Sequence, residues 1–191
     1  MIPILVAAPA VEPISLAEAR AYVRLDDPEA AFAEDGLIES LVAAARLAVE
    51  AATRLKLIAQ TWRLSIATPP ASRAIRLPLS PVAGVIEIRV FDGAGLASVV
   101  DPQLYRLRQG VQPPVVELEQ GFPSAPGGME IDVVAGFGEA PASVPAPLRQ
   151  AIRALVARWF EERGDGAAQA QAALPADVAL AIAPYRDIRL R

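Results

Sequence analysis

Hydrophobic and polar positions change period twice along the chain, and those changes divide it into a helical beginning, a β middle and a helical end. Ser15-Leu16-Ala17-Glu18 opens the first helix, because a Ser N-cap and a Glu three residues on can satisfy two orphan amides reciprocally. This helix is expected to reach about Leu25. Asp26-Asp27-Pro28-Glu29 then breaks it, since proline disfavours helix in the residue before it and the acids solvate a loop. A longer helix is expected from about Asp35 to Lys56: Leu37, Ile38, Leu41, Val42, Ala45, Ala48, Val49 and Ala52 share one arc, with Glu39, Arg46 and Glu50 opposite. Between those faces lie Ala43, Ala44, Leu47 and Ala51, a second apolar strip that a solitary surface helix does not need.

From Gln60 the period becomes two. Trp62, Leu64 and Ile66 alternate with Thr61, Arg63 and Ser65, which predicts a strand. Ile75 and Leu77, then Ile86, Ile88 and Val90, repeat the pattern, and Asp92-Gly93-Ala94-Gly95 reads as a hairpin loop. Further strands are expected at Tyr105 to Arg108, Val115 to Glu119 and Met129 to Val134, separated by proline- and glycine-rich turns. A third helix starts near Pro147, with Leu148, Ile152, Leu155, Val156, Trp159 and Phe160 as its core stripe. Gly164-Asp165-Gly166 stops it, an Ala/Gln connector follows, and 175–183 is expected to form one more short helix. The fold class is therefore α+β: a helical bundle body with an inserted antiparallel β module and a C-terminal arm. The expected divisions are 1–59 helical, 60–140 β, 141–166 core helix and 167–191 connector and docking arm.

Composition narrows the chemistry. The 191 residues include no cysteine and no histidine, which removes disulfides, thiolate nucleophiles, the Ser-His-Asp triad and the usual zinc ligands. No cofactor or metal is expected. A balance of 18 basic against 22 acidic side chains argues against a strong grip on nucleic acid. Ile2-Pro3-Ile4-Leu5-Val6 lacks preceding basic residues and is broken by proline, so it is read as neither signal peptide nor membrane span. Gly136-Phe137-Gly138 lacks the third glycine of a dinucleotide fingerprint, and a turn with two positive-φ positions explains it better.

Glu117 with Glu119, and Glu130 with Asp132, sit at strand spacing opposite apolar neighbours, as in half-solvated sheets, and are candidates for a surface that faces a partner. Arg149 and Arg153 border the third helix's stripe near its N-terminus, where the dipole disfavours cations and a nearby acid would offset the cost. With Ala43, Leu47 and Ala51 they form the candidate subunit interface. At the C-terminal end, Tyr185, Arg186, Ile188, Arg189, Leu190 and Arg191 combine an aromatic, alternating aliphatics and arginines, the composition of a docking segment.

The opening Pro13-Ile14-Ser15-Leu16-Ala17-Glu18-Ala19, the helix leading into Leu57-Ile58-Ala59-Gln60-Thr61-Trp62, Ala135-Gly136-Phe137-Gly138 followed by Val144 to Ile152, and Ala183-Pro184-Tyr185-Arg186 occur in this order. Together they resemble the head–tail connector (adaptor) proteins of long-tailed phages, prophages and gene transfer agents, over nearly the whole chain. The resemblance implies a non-catalytic ring subunit, twelve to a ring, at the head–tail junction of a particle assembled in the bacterial cytoplasm. The implied partners are the portal protein, a tail-side stopper or tail terminator protein and other copies of itself, with DNA only in transit and no membrane. One departure is Ala51-Ala52-Thr53-Arg54-Leu55-Lys56, where relatives usually carry an aromatic and a glycine. Two rival readings remain. One is a small-ligand enzyme with a carboxylate/arginine cleft, which needs convergent acids with raised pKa values. The other is a DNA-packaging protein with a helix-turn-helix, whose recognition helix should carry clustered basic or amide side chains.

Overall fold

The computed structural model describes residues 1–25, 28–162 and 174–186. Two compact units share the chain, one from Met1–Ala10 with Ile58–Glu139 and one from Val11–Leu57 with Ala140–Arg191. Among the described residues the architecture is mixed α+β, with two antiparallel sheets in the first unit and four α-helices in the second.

In the β unit the strands are β1 (Ile2–Ala7), β2 (Gln60–Ile66), β3 (Ala74–Arg76), β4 (Val82–Phe91), β5 (Ala97–Val99), β6 (Tyr105–Arg108), β7 (Val115–Leu118) and β8 (Met129–Ala135). Five of them form a sheet in the order β1-β2-β8-β4-β5, and the other three a sheet in the order β3-β7-β6. Alternation buries Leu64, Ile88, Val90, Met129, Ile131 and Val133, which share one core with Ile75, Val116 and Leu118 of the smaller sheet. The expected boundary at residue 59 is corrected here: β1 pairs antiparallel with β2, so the first residues belong to the β module. An apolar run with two isoleucines and a valine suits a strand, and Pro3 is tolerated because β1 is an edge. A second correction concerns Ile86. The β4–β8 register shifts between Val85 and Glu87, and Ile86 is exposed rather than aligned with Ile88 and Val90.

Gly136 ends β8 at φ 141°, and a Cβ there would lie 2.5 Å from the Ile58 carbonyl carbon, so backbone proximity explains this glycine. Gly138 also takes a positive φ, as the turn reading requires.

In the second unit the helices are α1 (Leu16–Tyr22), α2 (Pro28–Thr53), α3 (Ala146–Glu161) and α4 (Ala176–Ile182). The capping box is formed, with the Glu18 amide donating to Ser15 Oγ at 3.1 Å and the Ser15 amide to Glu18 Oε2 at 2.9 Å. α2 starts at Pro28, earlier than expected, because proline's missing amide is harmless at a first helical position. It also ends earlier, at Thr53, where Arg54 turns to φ 61°. Ile38, Val42, Ala45 and Val49 of α2, Leu148, Ile152, Leu155 and Val156 of α3, and Val178 and Ile182 of α4 are buried. α3 packs against α1, α2 and α4.

Candidate functional site

Charged side chains of this protein meet in compact clusters. On α1, Glu18 closes the capping box with one oxygen and with the other accepts 2.7 Å hydrogen bonds from Arg149 and from Arg153 of α3. Arg149 Nε also donates to the Pro13 carbonyl at 3.1 Å. The Ser15 amide, then the Arg153 hydrogen bond and the two guanidinium charges, outweigh partial desolvation and lower the Glu18 carboxyl to about 2. Glu18 is thus the acid that offsets the dipole cost of cations near the start of α3. Within the chain this arginine pair, a subunit-interface candidate, fastens α1 to α3.

The sheet acids are arranged differently from two solvated rows. Asp132 lies on the central strand β8 opposite Arg63 of β2 and Glu87 of β4. It is only 7% exposed and accepts a bidentate pair from Arg63, 2.8 Å on each oxygen, with Arg89 NH2 at 3.0 Å from Oδ2. Glu130 stands 3.6 Å from Arg63 and 3.3 Å from Arg89, and Glu87 3.3 Å from Arg89. The Arg63 hydrogen bond leads in holding the Asp132 carboxyl below its ordinary value, and the Arg106 hydrogen bond does the same for Glu117. Arg106 and Arg108 reach Glu117 at 2.8 and 3.2 Å, and Glu119 is exposed. Val116, Leu118, Ile131 and Val133 are buried opposite, as alternation requires.

Two charges expected on the outer side of α2 are inside. Arg46 and Glu50 are buried: Arg46 pairs with Glu12 at 2.8 Å, and Glu50 takes the Leu57 amide at 3.0 Å and Lys56 Nζ at 3.2 Å. Every resolved carboxylate shift is downward, the opposite of what a general acid needs at neutral pH. Among the described residues no group of three or more Asp or Glu is placed to hold a metal ion, and no helix is long and apolar enough to cross a membrane.

Uncharged surface remains in specific places. Leu47 and Ala51 of α2 are exposed and Ala43 is half-buried. β1 presents Ile2, Ile4, Leu5 and Val6 at a sheet edge. The expectation that 174–191 stands apart from the chain's own core is corrected for α4, since Val178 and Ile182 are buried and α4 packs on α3. Beyond it Tyr185 is half-buried and Arg186 exposed, while Ile188, Arg189, Leu190 and Arg191 lie outside the described residues.

Neither the known family models nor the curated proteins contain a match to this sequence. Solved structures do. A chain in the neck of an empty gene transfer agent particle, treated with C6 symmetry, is 32% identical with a TM-score of 0.82, covering 100% of this chain and 98% of that one. A chain in the virion of a native gene transfer agent particle gives the same values. One in the neck of a native particle, treated with C12 symmetry, is 30% identical with a TM-score of 0.79 over the same shares. Identity at this level across both full lengths reaches beyond a shared fold, and the chain belongs to the head–tail connector family found in the necks of gene transfer agent particles.

Proposed function

We propose that this chain is a non-catalytic adaptor, one of twelve in a ring at the head–tail junction of a phage-like particle. The observation that carries the reading is the full-length likeness to chains of particle necks, one of them treated with twelvefold symmetry. The chemistry agrees with a structural role: carboxylates are held ionised by arginines, and the net charge of −4 suits a conduit that DNA must traverse without sticking. The portal protein docks on the segment from Tyr185 and Arg186 to Arg191, and a stopper or tail terminator protein on the opposite rim. Neighbouring subunits meet along the α2 strip of Leu47 and Ala51. Exposed Glu119 is the best candidate of the four sheet acids for a surface facing the lumen or the next ring, because Glu117, Glu130 and Asp132 are each neutralised by arginine.

The test is a deletion of the gene followed by electron microscopy of the particles. Filled or leaking heads separated from complete tails are expected, with joining restored by the full chain in trans. Normal joined particles in the deletion strain would refute the proposal.

A further inference from the structure

Resting on the ring reading above, we propose that the outer face of α2 is the seat for α4 of the next copy, with Leu180 as the knob and an Arg54–Asp177 ion pair at its end. The first observation is an inversion of charge. Over its second half α2 buries Arg46 and Glu50 and turns Ser40, Ala44, Leu47 and Ala51 outward. A helix facing only water carries its charges outside and its small apolar residues inside. Leu37, Ser40, Ala44, Leu47, Ala51 and Arg54 are all exposed, and steps of three and four separate them, the spacing by which one helix seats another.

Arg54 supplies an independent observation. It closes α2 with its amide on the Glu50 carbonyl at 2.7 Å and a φ of 61°, a left-handed position where glycine is the unstrained choice. Among the described residues its exposed side chain makes no ion pair, which leaves its charge open to a partner. On α4, Val178 and Ile182 are buried while Asp177 and Leu180 are exposed, Leu180 at 76%. α3 packs against both α2 and α4, so the two outer faces are distinct surfaces of one unit.

A cyclic ring needs two different complementary patches, whereas α2 against α2 would close at a two-fold dimer. With the helices antiparallel, Leu180 enters the hollow between Leu47 and Ala51, and Asp177, three residues earlier, lies beside Arg54, three residues beyond Ala51. The short side chains of Ala44 and Ala51 admit close approach, and the end charges have opposite sign.

The chain's lack of cysteine makes the test direct. The double variant Leu47→Cys/Leu180→Cys is oxidised in assembled particles and run without reductant, beside each single variant. A ladder of covalent oligomers from the double variant alone supports the inference. A dimer from Leu47→Cys alone would show α2 paired with itself and overturn it, and so would rings visible by electron microscopy without any ladder, which leaves the ring reading intact. Finding no ring of this chain in the particles overturns both. A charge exchange checks the register: Arg54→Asp or Asp177→Arg alone should lower the yield of rings at least tenfold, and the two together should restore it. Equal yields from all three variants would overturn the ion pair.

Discussion

Asp132→Asn tests whether the charge network on the five-stranded sheet holds the β unit together. The substitution keeps shape and removes charge, turning an acceptor that serves Arg63 and Arg89 into an amide whose NH2 faces a guanidinium. Stripping one partner from a buried ion pair costs roughly 3–5 kcal/mol, and an exposed pair is worth roughly 0–1 kcal/mol. This site lies between those limits. Asp132 is buried, but its arginines keep 30% and 24% of their side-chain surface in water, and Glu130 remains 3.3 to 3.6 Å away as a second acceptor. The expected loss is about 2 kcal/mol, some thirtyfold in the folding equilibrium, or roughly 4–8 °C in melting temperature for a chain of this size.

The chain has two tryptophans, Trp62 on β2 and Trp159 on α3, so each unit carries its own fluorophore. Urea unfolding of Asp132→Asn in a Trp159→Phe background reads the β unit alone. The Trp62 transition should move to lower urea with its slope unchanged. Because the Asp132 carboxyl is lowered by Arg63, the stabilisation is present above its ordinary value of 3.8 and is lost as pH falls through the folded value, so the variant should show less of this acid loss than the wild type. A shift below about 0.5 kcal/mol would place the network among ordinary surface pairs and refute the reasoning.

Three further outcomes follow. Glu18 is lowered to about 2, so the helical unit, read by Trp159 in a Trp62→Phe background, should lose stability as pH falls from about 4.5 towards 2; Glu18→Gln should flatten that loss and cost about 1 kcal/mol at neutral pH. Truncation after Ala173 removes the buried Val178 and Ile182, and calorimetry should show a loss of roughly 2–3 kcal/mol, whereas removing only 187–191 should leave the melting temperature unchanged while abolishing attachment to portal-bearing heads. Arg54→Gly relieves the φ of 61° and should raise subunit stability by roughly 1 kcal/mol in a thermal melt, yet reduce ring formation by particle microscopy.

Much of the secondary structure was legible because it depends on local rules. The capping box at Ser15, the alternation through β2 and β8 and the stripe of α3 are written in consecutive residues, and the structure bears them out. Most of what the sequence left hidden depends on partners outside the local pattern, though the earlier ends of α2 are set locally by Pro28 and Arg54. Ile2–Ala7 has a strand's composition, but it needs β2, some sixty residues later, to become one. Period alone put Arg46 and Glu50 outside; what brings them in is Glu12 for one and the Leu57 amide and Lys56 for the other. Asp132 beside Glu130 looks like a wet row until the register sets Arg63 across from it. A bulge carries no reliable mark in one sequence, and the register shift between Val85 and Glu87 turns Ile86 to the exposed face.

Those misses bear on how this subunit can meet its neighbours. The chain has one lysine and many arginines, and arginine makes planar bidentate pairs with carboxylates. The structure directs Arg20, Arg46, Arg63, Arg89, Arg106, Arg108, Arg149, Arg153 and Arg158 to carboxylates of the same chain. Such pairs have less of their charge and fewer free donors left for a neighbour, most of all where they are buried. Under the ring proposal, recognition draws on what is exposed among the described residues: the uncharged face of α2, Leu180 on α4, the apolar edge of β1, and the charges of Arg54 and Asp177. Apolar patches of this size bind weakly one at a time, which suits a closed ring, where every subunit is held on two sides and the last contact closes with the entropy of association already lost.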